Sequence, residues 1–275
     1  MQGKRVLITG ANGGIGLVAA RELASAGAEV IIACRDSEKT ADALTVIGEG
    51  AAIPPVNLAV DLSSFASVRA LADQFLQNYD RLDVLINNAG TMPDKQQITE
   101  DGFEMQMAVN HLSHFLLTHL LLDCIKASKP ARVVSVSSML HKKSGMDLDT
   151  FTGFKKYSSS AAYNQSKLAN IMFTVELAKR LEGSGVTANA LHPGAVATDI
   201  VRHFPWLVRK LIGLVFISPE KGAKTTLMLS SEPQFDSETG KYYNQCEPDT
   251  YSSLADDEEL RKQFWRASEE AVGLV

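Results

Sequence analysis

The sequence predicts an α/β fold, a doubly wound parallel sheet, on three observations. Short apolar runs rich in β-branched residues alternate with stretches of helical period from the first residues onward. A glycine-rich turn joins the first such run to the first helix. No linker, repeat or low-complexity tract breaks the alternation. Strands buried on both faces read as short continuous apolar runs, and right-handed crossovers place helices on both sides of the sheet. A single domain over residues 1–275 follows. Area scaling for such a chain buries roughly 70% of its extended surface, enough for one large core.

The elements follow in order. Residues 5–9 form a first strand, residues 15–26 a helix, residues 29–33 a second strand, and a polar helix runs to about residue 47. Residues 56–60 read as a third strand, 67–78 as a helix and 84–86 as a fourth strand. One long helix is expected over 103–125, then a fifth strand at 132–136, a long helix at 161–181 and a sixth strand at 187–191. Residues 141–160 are polar and rich in Gly and Ser, and look like an insertion after the fifth strand. Residues 199–218 carry Phe204, Trp206, Leu207, Leu211, Leu214 and Phe216 without helix caps, the mark of a lid over an apolar substrate. Residues 254–272 are expected to form a last helix packed on the sheet edge.

Composition narrows the functional classes. With 45% apolar and 21% charged residues the chain is an ordinary globular one. A net charge of −5 gives no electrostatic reason to expect nucleic acid. Cys34, Cys124 and Cys246 lie far apart with no metal-ligand spacing, which points to buried thiols in a reducing compartment. No apolar run approaches 18 residues, and the first strand is too short for a signal-peptide core, so no integral membrane segment and a cytoplasmic location are expected. His111, His114, His119, His141 and His192 have no matching carboxylate or cysteine cluster, so they read as solvated or packing residues and no metal site is expected. A hydrolase triad through Ser138 and His192 lacks the G-x-S-x-G elbow. Residues 115–122 are either core or a helix-pair face of a homodimer.

The turn Thr9-Gly10-Ala11-Asn12-Gly13-Gly14-Ile15-Gly16 has the placement that a dinucleotide pyrophosphate needs. Glycines admit close backbone approach, and the N–H groups of the helix start face the anion. At the end of the second strand the sequence reads Cys34-Arg35-Asp36. An acid at the strand tip would bind ribose hydroxyls and repel a 2′-phosphate, whereas a guanidinium forks onto one. Arg35 therefore favours NADP(H) over NAD, and the counter-evidence, Asp36, has an alternative use as the cap of the next helix.

Tyr163 and Lys167 stand four residues apart, on one face of a helix. A phenol becomes a general acid–base near neutrality only if its pKa falls from about 10 towards 7, which needs about 4 kcal/mol. An ammonium ~4–5 Å away contributes about 3–4 kcal/mol at an effective dielectric near 20, so Lys167 is expected to be nearly sufficient. Ser138 ends the fifth strand, where a hydroxyl can meet a substrate carbonyl. Asn87-Asn88-Ala89-Gly90 ends the fourth strand and gives a tight passage beside a cofactor. Asn110 lies inside a helix, unfavourable unless its amide meets a partner. Of these last three segments, Ser138 and Asn87 to Gly90 fall at or just beyond the carboxyl ends of strands, where open α/β sheets bind ligands.

Taken in order, these motifs resemble the short-chain dehydrogenase/reductase family along nearly the whole chain, with its Rossmann-type single domain. Asp61-Leu62 and Pro193-Gly194 complete the set. Within the family the chain looks most like the retinol dehydrogenase branch, through Ala33-Cys34-Arg35-Asp36, Tyr163 to Asn170, His192 to Val196, and Gly240-Lys241-Tyr242-Tyr243. The resemblance implies that Tyr163 is the acid–base, that Ser138 orients the carbonyl and that Lys167 also binds the nicotinamide ribose. It implies that Asn110 holds a proton-relay water, Asp61 contacts adenine and Thr198 reaches the carboxamide. The cofactor would then lie along Gly10, Asn12, Gly13, Gly14, Ile15, Gly16, Arg35, Asp61, Leu62, Asn88, Ala89, Gly90, Tyr163, Lys167, Pro193, Gly194, Val196 and Thr198. Animal retinol dehydrogenases often carry an N-terminal anchor that this sequence does not display, so a soluble relative is expected. The expected reaction is hydride transfer between NADP(H) and a hydrophobic alcohol/carbonyl pair, retinoid-like or lipid-like. A non-catalytic NADP-sensing scaffold is the alternative, but it would not need Ser138, Tyr163 and Lys167.

Overall fold

The structure, a computed structural model, describes residues 1–194 and 217–275. Eight strands form one sheet in the order β3-β2-β1-β4-β5-β6-β7-β8. They are β1 (Arg5–Thr9), β2 (Glu29–Cys34), β3 (Val56–Ala59), β4 (Val84–Asn87), β5 (Ala131–Val136), β6 (Val186–His192), β7 (Tyr242–Asn244) and β8 (Glu247–Asp249). Every neighbouring pair is parallel except β7 with β8. The chain winds outward from β1 to β3, then crosses back to β4 on the other side of β1. A crevice opens at such a reversal, above the strands' carboxyl ends.

Side-chain alternation divides the interior into two cores. Val6 and Ile8 of β1 join one with Val30 and Ile32, while Leu7 joins the other with Ile31 and Leu85. Helix α1 (Gly14–Ser25) packs on α2 (Glu38–Gly48) and α8 (Pro219–Ser231) on one side. On the other lie α3 (Phe65–Asn78), α5 (Ser113–Leu120), α7 (Ser159–Arg180) and α9 (Glu258–Ala271). Ser37, Ser64, Ser158, Ser218 and Asp257 cap α2, α3, α7, α8 and α9, each accepting a first-turn backbone N–H.

The single helix expected over 103–125 is not continuous. A short α4 (Met105–Met107) enters a π-helical turn (Ala108–Leu112), then α5, and after a break at Leu121 comes α6 (Leu122–Ala127). The cause sits at Asn110, whose amide is held outside the helix by Thr91 and Ser166. The last helix is also placed differently from expectation. Helix α9 packs on α7 and α5, and β8 forms the sheet edge. Phe264 and Trp265 of α9 cover Phe115 and Phe173, so Phe115 and its neighbours are core within this chain. The insertion at 141–160 folds as two 3-10 turns, Met139–Lys143 and Leu148–Thr152, the second tied to α7 through Gln165. Most of the lid expected at 199–218 lies outside the described residues.

Candidate active site

The crevice between β1 and β4 is closed at its floor by the glycine turn. Gly10 has φ +66°, and a Cβ there would stand 2.9 Å from the Cβ of Ala89. A Cβ on Gly16 would meet Asn88 Nδ2 at 2.5 Å and the Gly10 carbonyl at 2.9 Å. Only glycine fits either position. Helix α1 has Gly13 as its N-cap and so no side-chain cap, unlike the capped helices above, which leaves its first N–H groups available to an anion. The residues therefore fit a dinucleotide pyrophosphate: a cradle without Cβ atoms at an uncapped helix start.

The other predicted cofactor positions gather around this turn. Asn88 Nδ2 donates to Thr9 O at 2.8 Å and to Gly10 O at 3.4 Å, so its amide braces the turn. Asn12 Nδ2 donates to Thr40 Oγ1 at 3.0 Å. Arg35 is exposed at the tip of β2, and its charge reaches Asp61 at the end of β3. The Asp61 carboxyl, desolvated in part but held by two hydrogen bonds from Ser63 as well as Arg35, lies below its ordinary pKa. Leu62 and Ile15 bury their side chains, so each offers the crevice only its backbone. Asp36 does not cap α2; Ser37 does, and Asp36 is instead held by Asn57 Nδ2 at 2.8 Å. Pro193 and Gly194 follow β6, while Val196 and Thr198 lie outside the described residues.

Three residues to which the sequence reading gave no role in the site also belong here. Thr9 Oγ1 accepts the N–H groups of Asn88 and Ala89 at 2.9 and 3.0 Å and meets His114 Nε2 at 2.8 Å. Lys39 Nζ stands 2.9 Å from where a Cβ on Gly13 would be, beside the turn and on the side of Arg35's strand. The Cys34 thiol sits near the turn, whose N–H groups at Asn12, Ala11 and Gly10 favour its ionised form, although burial raises its pKa overall. The strand register that brings Thr9 to Asn88 has no counterpart in sequence spacing. For Lys39, the signal was a lysine one turn into the helix after Arg35.

The chemical groups meet at the ends of β5 and α7. Ser138, two residues beyond β5, brings its hydroxyl near enough to the Tyr163 hydroxyl to favour the phenolate. Tyr163 and Lys167 lie on the same face of α7, with Lys167 Nζ 5.6 Å from the centre of the Tyr163 ring. Lys167 Nζ donates to Val136 O at 3.1 Å, and Ser137 Oγ donates to Lys167 O at 2.7 Å, fastening α7 to β5. A Cβ on Gly90 would lie 3.4 Å from Asn110 Oδ1 and 3.5 Å from Lys167 Nζ, so this glycine separates the two. Asn110 accepts from Thr91 N at 2.7 Å and donates to Thr91 O and to Ser166 Oγ, which meets the requirement that an internal helix Asn find partners. Its amide clamps the loop after β4 onto α7.

The electrostatics differ from the sequence expectation. Burial pushes the Tyr163 phenol up to about 12, against the opposing hydrogen bond from Ser138. Burial pulls Lys167 down to about 8. The chain's own groups thus hold both residues towards their neutral forms, and Lys167 alone does not bring the phenol towards 7. Desolvation also lowers His111, His114, His119, His141 and His192, which are packing residues rather than solvated ones. A cavity of about 450 Å³, lined by Asp147, Phe154, Asn164 and Gln165 among others, lies between the insertion and the start of α7. Among the described residues no three metal-ligating side chains gather, and no helix is long and apolar enough to cross a membrane.

Known proteins share this arrangement. The family model for short chain dehydrogenases matches residues 4–205. Human retinol dehydrogenase 14 is 45% identical over all of this chain and 88% of its own. Among solved structures, an uncharacterised protein from Mycobacterium paratuberculosis superposes with TM-score 0.82 at 36% identity, covering 99% of this chain and 94% of that one. RhlG from Pseudomonas aeruginosa, an NADP complex, follows at TM-score 0.73 and 28% identity, over 89% and 95%. The 3-ketoacyl-(acyl-carrier-protein) reductase of Brucella melitensis, complexed with NADH, has TM-score 0.70 and 26% identity, over 88% and 96%. The chain is a short-chain oxidoreductase built for a nicotinamide cofactor, and it belongs to the short-chain dehydrogenase family, in its retinol dehydrogenase-like branch.

Proposed function

We propose that the protein interconverts a hydrophobic carbonyl compound and its alcohol with NADP(H). The observation that carries this is the nearness of the Ser138 hydroxyl to Tyr163, with Lys167 Nζ on the same face of α7 and beside Gly90 at the end of β4. The bound nicotinamide supplies the hydride in reduction and takes it in oxidation. Tyr163 gives its proton to the carbonyl oxygen, and Ser138 donates a second hydrogen bond to that oxygen. Because burial keeps the phenol protonated through neutral pH, reduction finds its acid ready. Oxidation needs the phenolate and therefore speeds up as pH rises. Lys167 holds the nicotinamide ribose. Asn110 fixes the loop over it, and a proton relay through a water at Asn110 would use what its clamped amide leaves open.

Along the turn, Gly10 and residues 12–16 hold the pyrophosphate through backbone N–H groups. Asp61 and Leu62 would border the adenine, Asn88, Ala89 and Gly90 the ribose, and Pro193 and Gly194 the carboxamide, to which the family resemblance also assigns Val196 and Thr198. Arg35 and Lys39 supply two cations for a 2′-phosphate, one able to fork and one a point charge. A retinoid or lipid aldehyde suits the aromatic residues 204–216 and the name of the human relative. Three free cysteines support a cytoplasmic setting. We read residues 1–275 as one oxidoreductase domain, and a homodimer, if formed, uses a surface other than the one α9 covers.

The test is a screen of all-trans-retinal, decanal and a cyclic ketone, following NADPH absorbance. Tyr163→Phe keeps the ring and removes the proton, and its kcat should fall at least 100-fold. Parental turnover in that variant refutes the acid–base assignment. Arg35→Ala should lower the NADPH-over-NADH ratio of kcat/KM about tenfold or more, and an unchanged ratio removes the phosphate assignment.

A further inference from the structure

Ser138 opens the 3-10 turn Met139–Lys143, with its hydroxyl accepting the Leu140 N–H at 3.3 Å. In that turn stands a fully buried histidine that the hydride reaction does not use. His141 Nδ1 is 2.6 Å from the Ser138 carbonyl oxygen, which can only accept, so Nδ1 carries the proton. His141 Nε2 is 3.2 Å from the backbone N of Ser252, which can only donate, so Nε2 is bare. Two independent partners thus select the same neutral tautomer. The edge of the ring meets Tyr242 of β7 at 4.9 Å, which leaves it one orientation.

We propose that His141 is a positioning residue for the reaction: its Nδ1–H tautomer fixes the Ser138 backbone, and so the aim of the Ser138 hydroxyl, against the loop that follows β8. This rests on the reading of Ser138 as the group that orients the carbonyl. The bridge joins positions 111 residues apart, and it makes the geometry of the serine depend on the far end of the sheet. An imidazolium would have no lone pair for the Ser252 N–H, so the bridge requires the neutral ring. The groups that bear on that protonation are Lys142 in the same turn, Asp249 of β8 and His192 of β6. Burial and Lys142 favour the neutral ring, while Asp249 and the Ser138 carbonyl oppose them. Burial dominates and lowers the pKa.

Three variants separate positioning from mere packing, assayed with NADPH and whichever of decanal or all-trans-retinal the parent reduces faster. His141→Phe keeps a ring of similar size and loses both bonds. Its kcat should fall at least tenfold, with KM for NADPH within twofold of the parent. His141→Asn places an amide N–H near the Nδ1 position, and it should recover at least a third of the parental kcat. Ser252 has φ −60°, which proline adopts, so Ser252→Pro removes the N–H and sets its Cδ where the hydrogen pointed at Nε2, displacing the ring. Its kcat should fall at least tenfold, with KM for NADPH within twofold of the parent. A folded His141→Phe with kcat within twofold of the parent overturns the proposal, as does His141→Asn no faster than His141→Phe. If His141→Phe does not fold, a folded Ser252→Pro with kcat within twofold of the parent overturns it. Ser138→Ala is the control: if it keeps parental turnover, the reading of the serine has failed, and the positioning proposal falls with it.

Discussion

Lys167 shows how a single residue can serve chemistry against stability. Its ammonium is buried, with Val136 O as its acceptor, and its pKa falls from 10.5 to about 8. Between those values the unfolded chain binds more protons than the folded one, so stability rises with pH across the window of about 8 to 10.5. Below pH 8 the burial penalty stands in full, on the order of 3 kcal/mol. Lys167→Met should therefore be inactive yet melt higher than the parent at pH 7 without added cofactor, since Asn170 Nδ2 still satisfies Val136 O. The gain should shrink towards pH 10.5, as thermal melts at pH 7 and 10 would show, and a variant that melts lower at pH 7 contradicts the argument. At this scale the sequence made Ser138, Tyr163 and Lys167 legible, because four-residue spacing on a helix and a strand-end hydroxyl are local facts. Thr9, Cys34 and His141 were not, because each acts through a partner set by strand register or by a loop over 100 residues away.

Among the elements, α9 makes an aromatic packing contribution that can be tested directly. Trp265 stacks on Phe173 at 5.9 Å with ring planes 11° apart, meets Phe115 edge-on, and donates Nε1–H to Glu269 at 2.7 Å. Arg180 lies 4.2 Å above the ring. Beside it Arg261 binds Glu176 of α7 at 3.2 Å and donates to Ala255 O at 2.7 Å, both charges buried. Trp265→Ala should cost about 3–5 kcal/mol in urea unfolding while KM for NADPH stays within about twofold, since the ring is remote from the glycine turn. A loss under 1 kcal/mol would show that α9 is a loosely held appendage. Long helices and central strands were readable from their period. The π turn at 108–112 was not, since one extra residue in a turn leaves the apolar pattern almost intact while it redirects Asn110. Strands β7 and β8 are three residues each, and Pro248 in β8 argues against a strand except at an edge, where it is found.

Across the whole molecule the doubly wound order was the most legible property, because alternation of element types depends only on composition along the chain. What alternation could not reveal is how the later segments close over the earlier ones. Strand β7 extends the sheet beyond β6, the Ser252 loop fastens the serine turn, and α9 roofs Phe115 and Phe173. Synthesis runs in the opposite sense to this dependence. The apolar roof-bearing face of α5 and α7 leaves the ribosome about 90 residues ahead of the end of α9, a delay of roughly 5–20 s at ordinary elongation rates. During each round of translation that face is a wet, aromatic surface with nothing to cover it. A nascent chain held at that point would be a client for chaperones, and it would gain its fastened serine turn only when the loop at Ser252, just ahead of the last helix, arrives.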